Sequence, residues 1–511
     1  MSDGTEDYSS YYYLWHLIAI GALKPATPTP PLPPPGDSAG QPCPEIDTTI
    51  WEEAPCVANR VAKVGLIDMG ISKFHPNLEP EAEGTTSDQQ SKVLWDEALD
   101  LASHRYGATY GPMTQRHREE RLPHLAGILA PALEARIGPD GWESNTMNRL
   151  QNGQGVVRYL DTYDQSYATH GTACAGLVCG TSYDGDQFGQ MGNPILYYGV
   201  APHSKIVPIT TSISPDPEQL IAAFLYAHSK NVDVILFPRD AADPLEMPEN
   251  EHLDKNEKTR LDNSNRVKRG WALFRKVIEA VSVDIPVVCA SGNDGRSELI
   301  YPASLADDAN NGIIAVGSVT YRGYRSGYSN YGPGLTVVAP SDDGEVYNRH
   351  QLRLDKKAGY ATDFWTDNVH EEPTPPAVID FSAERLVTLD VPGPRGYAAG
   401  SRVGAPVASR ANAVDDPGSL YTEIGGTSGA SAIVAGAVAL MQCKETARVG
   451  GPAIKQKLLD MGGAGPNTDI SDWYWEVQNA LQLDAINGSQ ETAENLFGKG
   501  GLINLRTLLG L

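Results

Sequence analysis

None of the six cysteines stands in a Cys-x-x-Cys pair, so the usual spacing of a structural zinc site is missing. No run reaches the roughly 20 apolar residues that a membrane span requires, and no membrane association is expected. Basic charge is scarce: 40 Lys and Arg face 64 Asp and Glu, a formal net charge of −24. Phosphate backbones repel such a chain, so nucleic acid is not an expected partner. The first 15 residues hold Asp3, Glu6 and Asp7 but no Lys or Arg. That is the wrong start for a secretory signal, and the expectation is a cytoplasmic protein. There is no internal repeat and no EF-hand-like spacing, although the many carboxylates leave room for a structural calcium.

What is present is a chain of 511 residues, 41% of them apolar, enough for one large α/β domain with insertions or for two domains. Cys174, Cys179, Cys289 and Cys443 lie in apolar runs and read as small core residues. Cys43 and Cys56 would pair only in an oxidising compartment. The short apolar stretch Leu14–Leu23 contains His16 and reads as a packing segment or one that lies over a cleft. The proline-rich KPATPTPPLPPPG that follows, Lys24–Gly36, predicts an extended spacer. These divide the chain into an N-terminal segment and linker over 1–40 and one domain over 41–511.

From about residue 60 strand-like and helix-like runs alternate: VAKVGLID, SKIVPIT, PEQLIAAFLYAHSK, VDVILF, RGWALFRKVIEAV, PVVCAS and IIAVGSV. The strands are continuously apolar and rich in β-branched residues, the pattern of a parallel sheet covered on both faces. A doubly wound α/β domain with a mainly parallel sheet is therefore predicted. Polar stretches at about 80–160, 238–267 and 341–420 interrupt the alternation and read as insertions. The first of them carries a helical run, HREERLPHLAGILAPALEARI.

Three stretches could carry chemistry. GLIDMGISKFHPNL places Asp68 at the carboxyl end of a strand, where functional groups gather in open α/β sheets. THGTACAGLVCG places His170 in the first turn of a small-residue helix, where a neutral imidazole can serve as general base. GGTSGASAIVAGAVALM places Ser428 at the start of a buried helix, whose unpaired N–H groups can hold a developing oxyanion. Each residue alone reads more simply as a turn cap, a structural histidine or a helix N-cap.

Together, in the order Asp, His, Ser, the three stretches resemble the subtilisin-like serine peptidases (subtilases), and the order is that of subtilisin itself. The likeness rests on ID-x-G-I…HP-N-L, HGT-x-CAG and GTS-x-AS, with GVAP (199–202), ASGNDG (290–295), YPAS (301–304), AVGSV (315–319) and GGLINL (500–505) beside them. It spans 61–340 and 421–511. The resemblance implies a subtilisin-like fold and a serine endopeptidase acting on protein or peptide substrates, with no cofactor required for catalysis. It implies Ser428 as nucleophile, His170 as base and Asp68 as its orienting carboxylate. Asn293, in ASGNDG, matches the family's oxyanion-hole amide. Asp294 and Ile300 match rim and floor positions of the specificity pocket, and point to basic and apolar preferences respectively.

Ala432 stands where the family usually has Pro, a change without chemical consequence. Pro238-Arg239-Asp240 replaces the family's Ser-x-Gly stretch that pairs with substrate as an added strand, which predicts an altered substrate wall. Only 60 residues precede the first core strand, fewer than an inhibitory prodomain with its linker needs, so an intracellular member is expected. Control is then expected from the N-terminal segment, the insertions or a regulatory protein partner. The competing reading is a binding or scaffold protein on the same fold with little turnover, favoured only by Pro238-Arg239-Asp240.

Overall fold

The computed structural model describes residues 14–26, 46–57, 60–73, 75–79, 91–101, 129–138, 168–181, 197–212, 215–241, 243, 255–320, 325–342, 386–392, 396–397, 420–463 and 493–511. Most of the expected insertions 80–160 and 341–420, residues 244–254, the proline-rich residues 27–36 and Cys43 lie outside the described residues.

In chain order the elements are α1 (Trp15–Ala19), β1 (Leu23–Pro25), β2 (Ile46–Thr49), α2 (Ile50–Glu53), β3 (Lys63–Asp68), β4 (Leu99–Asp100), α3 (Pro131–Ile137), α4 (Thr169–Cys179), β5 (Lys205–Thr210) and α5 (Pro217–Ser229). There follow β6 (Val234–Phe237), α6 (Lys255–Asp284), β7 (Val287–Ala290), β8 (Ile313–Val319), β9 (Leu335–Pro340), β10 (Leu386–Leu389), β11 (Tyr421–Ile424), α7 (Gly426–Cys443), α8 (Gly451–Asp460), α9 (Ala493–Phe497) and α10 (Leu505–Leu509). Helix α6 already begins at Lys255, so the end of the stretch read as a third insertion is helical.

Seven strands form one sheet in the order β4-β5-β3-β6-β7-β8-β9, with every neighbouring pair parallel. The continuous apolar runs reflect burial on both faces. Val64, Ile206, Val234, Leu236, Val288, Ile314 and Val316 enter one core cluster, while Ile67, Val207, Ile235, Phe237, Val287, Cys289 and Ile313 enter the other. This two-residue alternation is the pleat itself. Helices α5 and α6 supply the second core, with Phe224 and Phe274 in ring contact at 5.5 Å. Helices α4, α7 and α8 supply the first.

Helix α7 is long and apolar enough to cross a membrane, yet 94% of it is buried inside the protein, which makes it a core helix. Its small residues allow that path: a Cβ on Gly436 would lie 2.7 Å from Val200 Cβ. The apolar segment 14–23 is also core. Residues 14–23 join the same cluster as α7, and Ile20 accepts a hydrogen bond from the Leu505 N–H at 2.8 Å. The apolar segment is thus a packing element. Cys443, expected as a free core thiol, is instead bonded to Cys56 across 387 residues, while Cys174, Cys179 and Cys289 are free and buried. A bridge of this kind typically stabilises by about 2–4 kcal/mol, chiefly by restricting the unfolded chain. It ties the N-terminal part of the chain to the last residue of α7.

A two-stranded antiparallel sheet of β10 and β11 lies on α4, with Thr388 Oγ1 donating to the Ala173 carbonyl at 2.6 Å. His75 staples the segment after β3 to it. The buried imidazole contacts the Leu420 carbonyl through Nε2 at 2.9 Å, and Nδ1 accepts the Asn77 N–H at 3.2 Å. Burial pushes the His75 pKa from 6.5 down to about 4, against the pull of the Leu420 carbonyl. The unfolded chain therefore takes up this proton below about pH 6.5 and the folded one only near pH 4. Stability should fall with pH through that window, by at most about 1.4 kcal/mol per pH unit from this group. Urea unfolding of His75→Gln between pH 7 and 4 should show a flatter pH dependence than the wild type; an identical slope would remove His75 as its source.

Candidate active site

Asp68 closes β3, and His170 sits in the first turn of α4. Asp68 Oδ2 meets His170 Nδ1 at 2.7 Å, with the carboxylate side chain 1% exposed and the imidazole 17%. The other carboxylate oxygen accepts the Met69 N–H at 2.6 Å. Burial alone pushes this carboxyl up, but His170, Arg239 and the Met69 N–H together outweigh it and hold the pKa below the ordinary carboxylate value. Asp68 is therefore an ionised acceptor, and His170 Nε2 is the ring nitrogen left facing away from it.

Close approach of α4 to β3 depends on Gly171. A Cβ there would lie 2.0 Å from the Gly70 carbonyl oxygen and 3.3 Å from Asp68 Cβ. Thr172 adds a second tie, accepting the Ser72 N–H at 2.7 Å. Cys174, one helical turn after His170, completes a cluster in which donor atoms of Asp68, His170 and Cys174 lie within 4.8 Å of one another. Burial, helped by Asp68, raises the Cys174 pKa well above its ordinary value. The thiol stays protonated and does not compete as a nucleophile.

Ser428 lies in the first turn of α7, which starts at the same carboxyl edge of the sheet. Its Oγ donates to the Pro238 carbonyl at 3.0 Å rather than to His170. Pro238 and Arg239 follow β6, the neighbour of β3. The Arg239 guanidinium crosses over the end of β3 to bond Thr211 Oγ1 and the Ser212 carbonyl beyond β5, each at 3.0 Å. The bulk of Arg239 is thus turned along the sheet edge, and the Pro238 carbonyl is the group this wall presents to Ser428.

Asn293 follows β7. Its Oδ1 accepts the Thr427 N–H at 2.8 Å and the Thr427 hydroxyl at 3.0 Å. The carbonyl side of the amide is thereby fixed beside Ser428, and Nδ2 remains as the donor. Gly292 makes the turn, with φ at +113° and no room for a Cβ, which would lie 2.4 Å from Asn330 Nδ2. Asn330 Oδ1 accepts the N–H groups of Asp294 and Arg296 at 2.9 and 3.2 Å. Asp294 is exposed, and Ile300 is half-buried against Gly292.

The subtilase family model matches residues 59–499. This chain belongs to the subtilase family. A calcium-dependent protease of Trichormus variabilis is 29% identical over 175 residues, covering 34% of this subtilase and 24% of the relative. The major intracellular serine protease of Bacillus subtilis is 28% identical over 186 residues, covering 35% of this chain and 46% of the relative. The subtilase described here thus matches less than half the length of these relatives. The epidermin leader peptide processing serine protease of Staphylococcus aureus superposes with a TM-score of 0.44 at 16% identity, covering 88% of this chain and 75% of that one.

Several residues at the subtilase site were not singled out from sequence. Tyr328, Asn330 and Asp342 pack behind Asn293 and the Ser428 turn. Tyr397, 50% exposed, contacts the side chain of Thr169 next to His170, and its N–H is held by Asp390 Oδ1 at 2.9 Å. The available signal was a polar, glycine-rich run between two apolar strands, RSGYSNYG, which periodicity leaves as loop. Gly171→Ala should force α4 away from β3, destabilising the fold by about 1–3 kcal/mol as overpacking does. The downfield imidazole N–H resonance of the Asp68–His170 bond should vanish in that variant. An unshifted resonance with wild-type stability would show that the close approach is not required.

Proposed function

We propose that this subtilase is a serine endopeptidase that hydrolyses peptide bonds through an acyl-enzyme. The observation that carries the reading is the 2.7 Å Asp68–His170 contact at the sheet edge where α7 presents Ser428. Ser428 Oγ attacks the scissile carbonyl, and its proton passes to His170 Nε2, the nitrogen not engaged by Asp68. Asp68 stabilises the imidazolium that forms. The Ser428 N–H and Asn293 Nδ2 donate to the tetrahedral oxyanion, the side-chain amide being oriented by Thr427. His170 then protonates the leaving amine, and water releases the acyl group by the reverse path. These steps use side chains and water alone.

Specificity is proposed at Asp294 and Ile300, the first at the exposed rim and the second beneath it. Control of access is proposed in the 341–420 stretch or in a protein partner that engages it. What supports this is that Asp342, β10 and Tyr397 stand next to the Ser428 turn, α4 and Thr169. Two relatives are named for calcium dependence. Among the described residues the single cluster of three metal-capable side chains is Asp68, His170 and Cys174. An imidazole and a thiol do not suit calcium, which takes oxygen ligands, and no step is derived through it. The compartment is read from the Cys56–Cys443 pair: a cytoplasmic protein would carry both as thiols, an exported one as the disulfide. Counting alkylatable thiols in protein taken from its own cells separates the two.

The scaffold reading is favoured by one observation, the Ser428 hydroxyl held by the Pro238 carbonyl. The two readings differ in turnover. Wild-type protein should cleave a denatured protein substrate, and Ser428→Ala should not. Asn293→Ala should lower kcat by about 10²–10³-fold with KM little changed, a magnitude established on subtilisin rather than on this chain. Equal, background-level cleavage by wild type and Ser428→Ala would favour the scaffold.

A further inference from the structure

The turn that delivers Ser428 is held from behind by a buried phenol and carboxylate that the triad chemistry does not use. Tyr328 is 1% exposed and Asp342 is 7% exposed. Tyr328 Oη lies 2.7 Å from Asp342 Oδ1 and accepts the Gly426 N–H at 2.9 Å. Asp342 Oδ1 also lies 3.3 Å from Gly426 N. Ser341 Oγ donates to the Gly426 carbonyl at 2.8 Å. Both polar groups of the residue two positions before Ser428 are therefore fixed. The backbone meets the carboxylate directly, since a Cβ on Gly425 would lie 1.9 Å from Asp342 Oδ1. Gly426 has φ at +77°, a conformation that glycine adopts at least expense.

The same tyrosine reaches the other half of the site. Its carbonyl accepts the Gly295 N–H at 2.6 Å, two residues beyond Asn293. One residue thus ties the Asn293 loop through its backbone and the Ser428 turn through its hydroxyl. Resting on the peptidase reading, we infer that Tyr328 and Asp342 are positioning residues that set the Ser428 nucleophile relative to the Asn293 amide. Burial and the neighbouring Asp342 raise the Tyr328 pKa well above its ordinary value, so the phenol keeps its proton. The carboxylate is the nearest acceptor for that proton, with the Asp342 carbonyl at 2.9 Å and Ser341 Oγ at 3.1 Å also in reach, and the lone pair takes the Gly426 N–H.

Tyr328→Phe removes the hydroxyl and keeps the ring. Its kcat on a peptide substrate should fall about 10- to 100-fold with KM within about twofold, the signature of a contact that matters in the transition state. The rate of inactivation by a fluorophosphonate should fall in parallel. Asp342→Asn keeps an acceptor for the phenol and should retain more activity than Asp342→Ala. Thermal unfolding of each variant is measured alongside. Wild-type kcat in a folded Tyr328→Phe, or equal rates for Asp342→Asn and Asp342→Ala, would overturn the inference. A kcat loss that disappears at a temperature where the variant is fully folded would also overturn it, leaving a merely structural role. Inactivity of the wild type itself would instead remove the peptidase reading on which it rests.

Discussion

The contact between Asp68 and His170 depends on how closely one helix can approach the end of one strand. Helix α4 touches the β3 terminus where Gly171 faces the Gly70 carbonyl, and a single methyl there would leave 2.0 Å between carbon and oxygen. The low exposure of Asp68 follows from this approach, and so does the balance that keeps it ionised. Burial disfavours the charge, and His170, Arg239 and the Met69 N–H favour it more. The same logic recurs on the opposite wall. Gly425 lets α7 begin against Asp342, and Gly292 lets the Asn293 loop fold onto Asn330. Glycine at three close approaches brings three motifs from distant parts of the chain to one edge of the sheet.

Helix α7 links that edge to the rest of the molecule. Its first turn holds Ser428, its middle passes through the core under the sheet, and its last residue is bridged to Cys56. The segment 14–23 packs into the same core and is bonded to α10 through Ile20 and Leu505. The segment 14–23 and α10 thus brace the helix that carries Ser428. The wall facing Ser428 comes from a different part, the stretch after β6. Its Pro238 carbonyl engages Ser428 while Arg239 reaches over β3 to Thr211 and Ser212.

Five of the seven strands, β3, β5, β6, β7 and β8, and the helices α4, α5 and α7 were legible from sequence because burial on both faces writes continuous apolar runs, and small-residue helices write Gly and Ala; the two-residue β4 and the strand β9 were not read from sequence. Asp68, His170 and Ser428 each flank such a run but singly read as structural residues; the order of their three motifs, which resembles the subtilases, singled them out, and Asn293 was matched through that resemblance. What stayed hidden depends on contacts between distant residues. The Cys56–Cys443 bridge spans 387 positions, and nothing local marks either cysteine for the other. Tyr328 and Asp342 sit in polar loop sequence whose partners, Gly426 and each other, become neighbours only after folding. The segment 14–23 was legible as apolar, but its choice between core and cleft was decided by where α10 and α7 lie. The departure at Pro238 was visible, whereas the direction of the Arg239 side chain was not.

The central claim is that Ser428, set by Asp68 and His170, is the nucleophile of this subtilase. The most direct measurement is the site of covalent modification when the native full-length chain meets a fluorophosphonate, read by mass spectrometry of its digested peptides. The account predicts one adduct, on Ser428, formed far more slowly after His170→Ala and absent from the urea-unfolded protein. An adduct on Ser431 or another residue, or none on Ser428 in folded and proteolytically active protein, would contradict it.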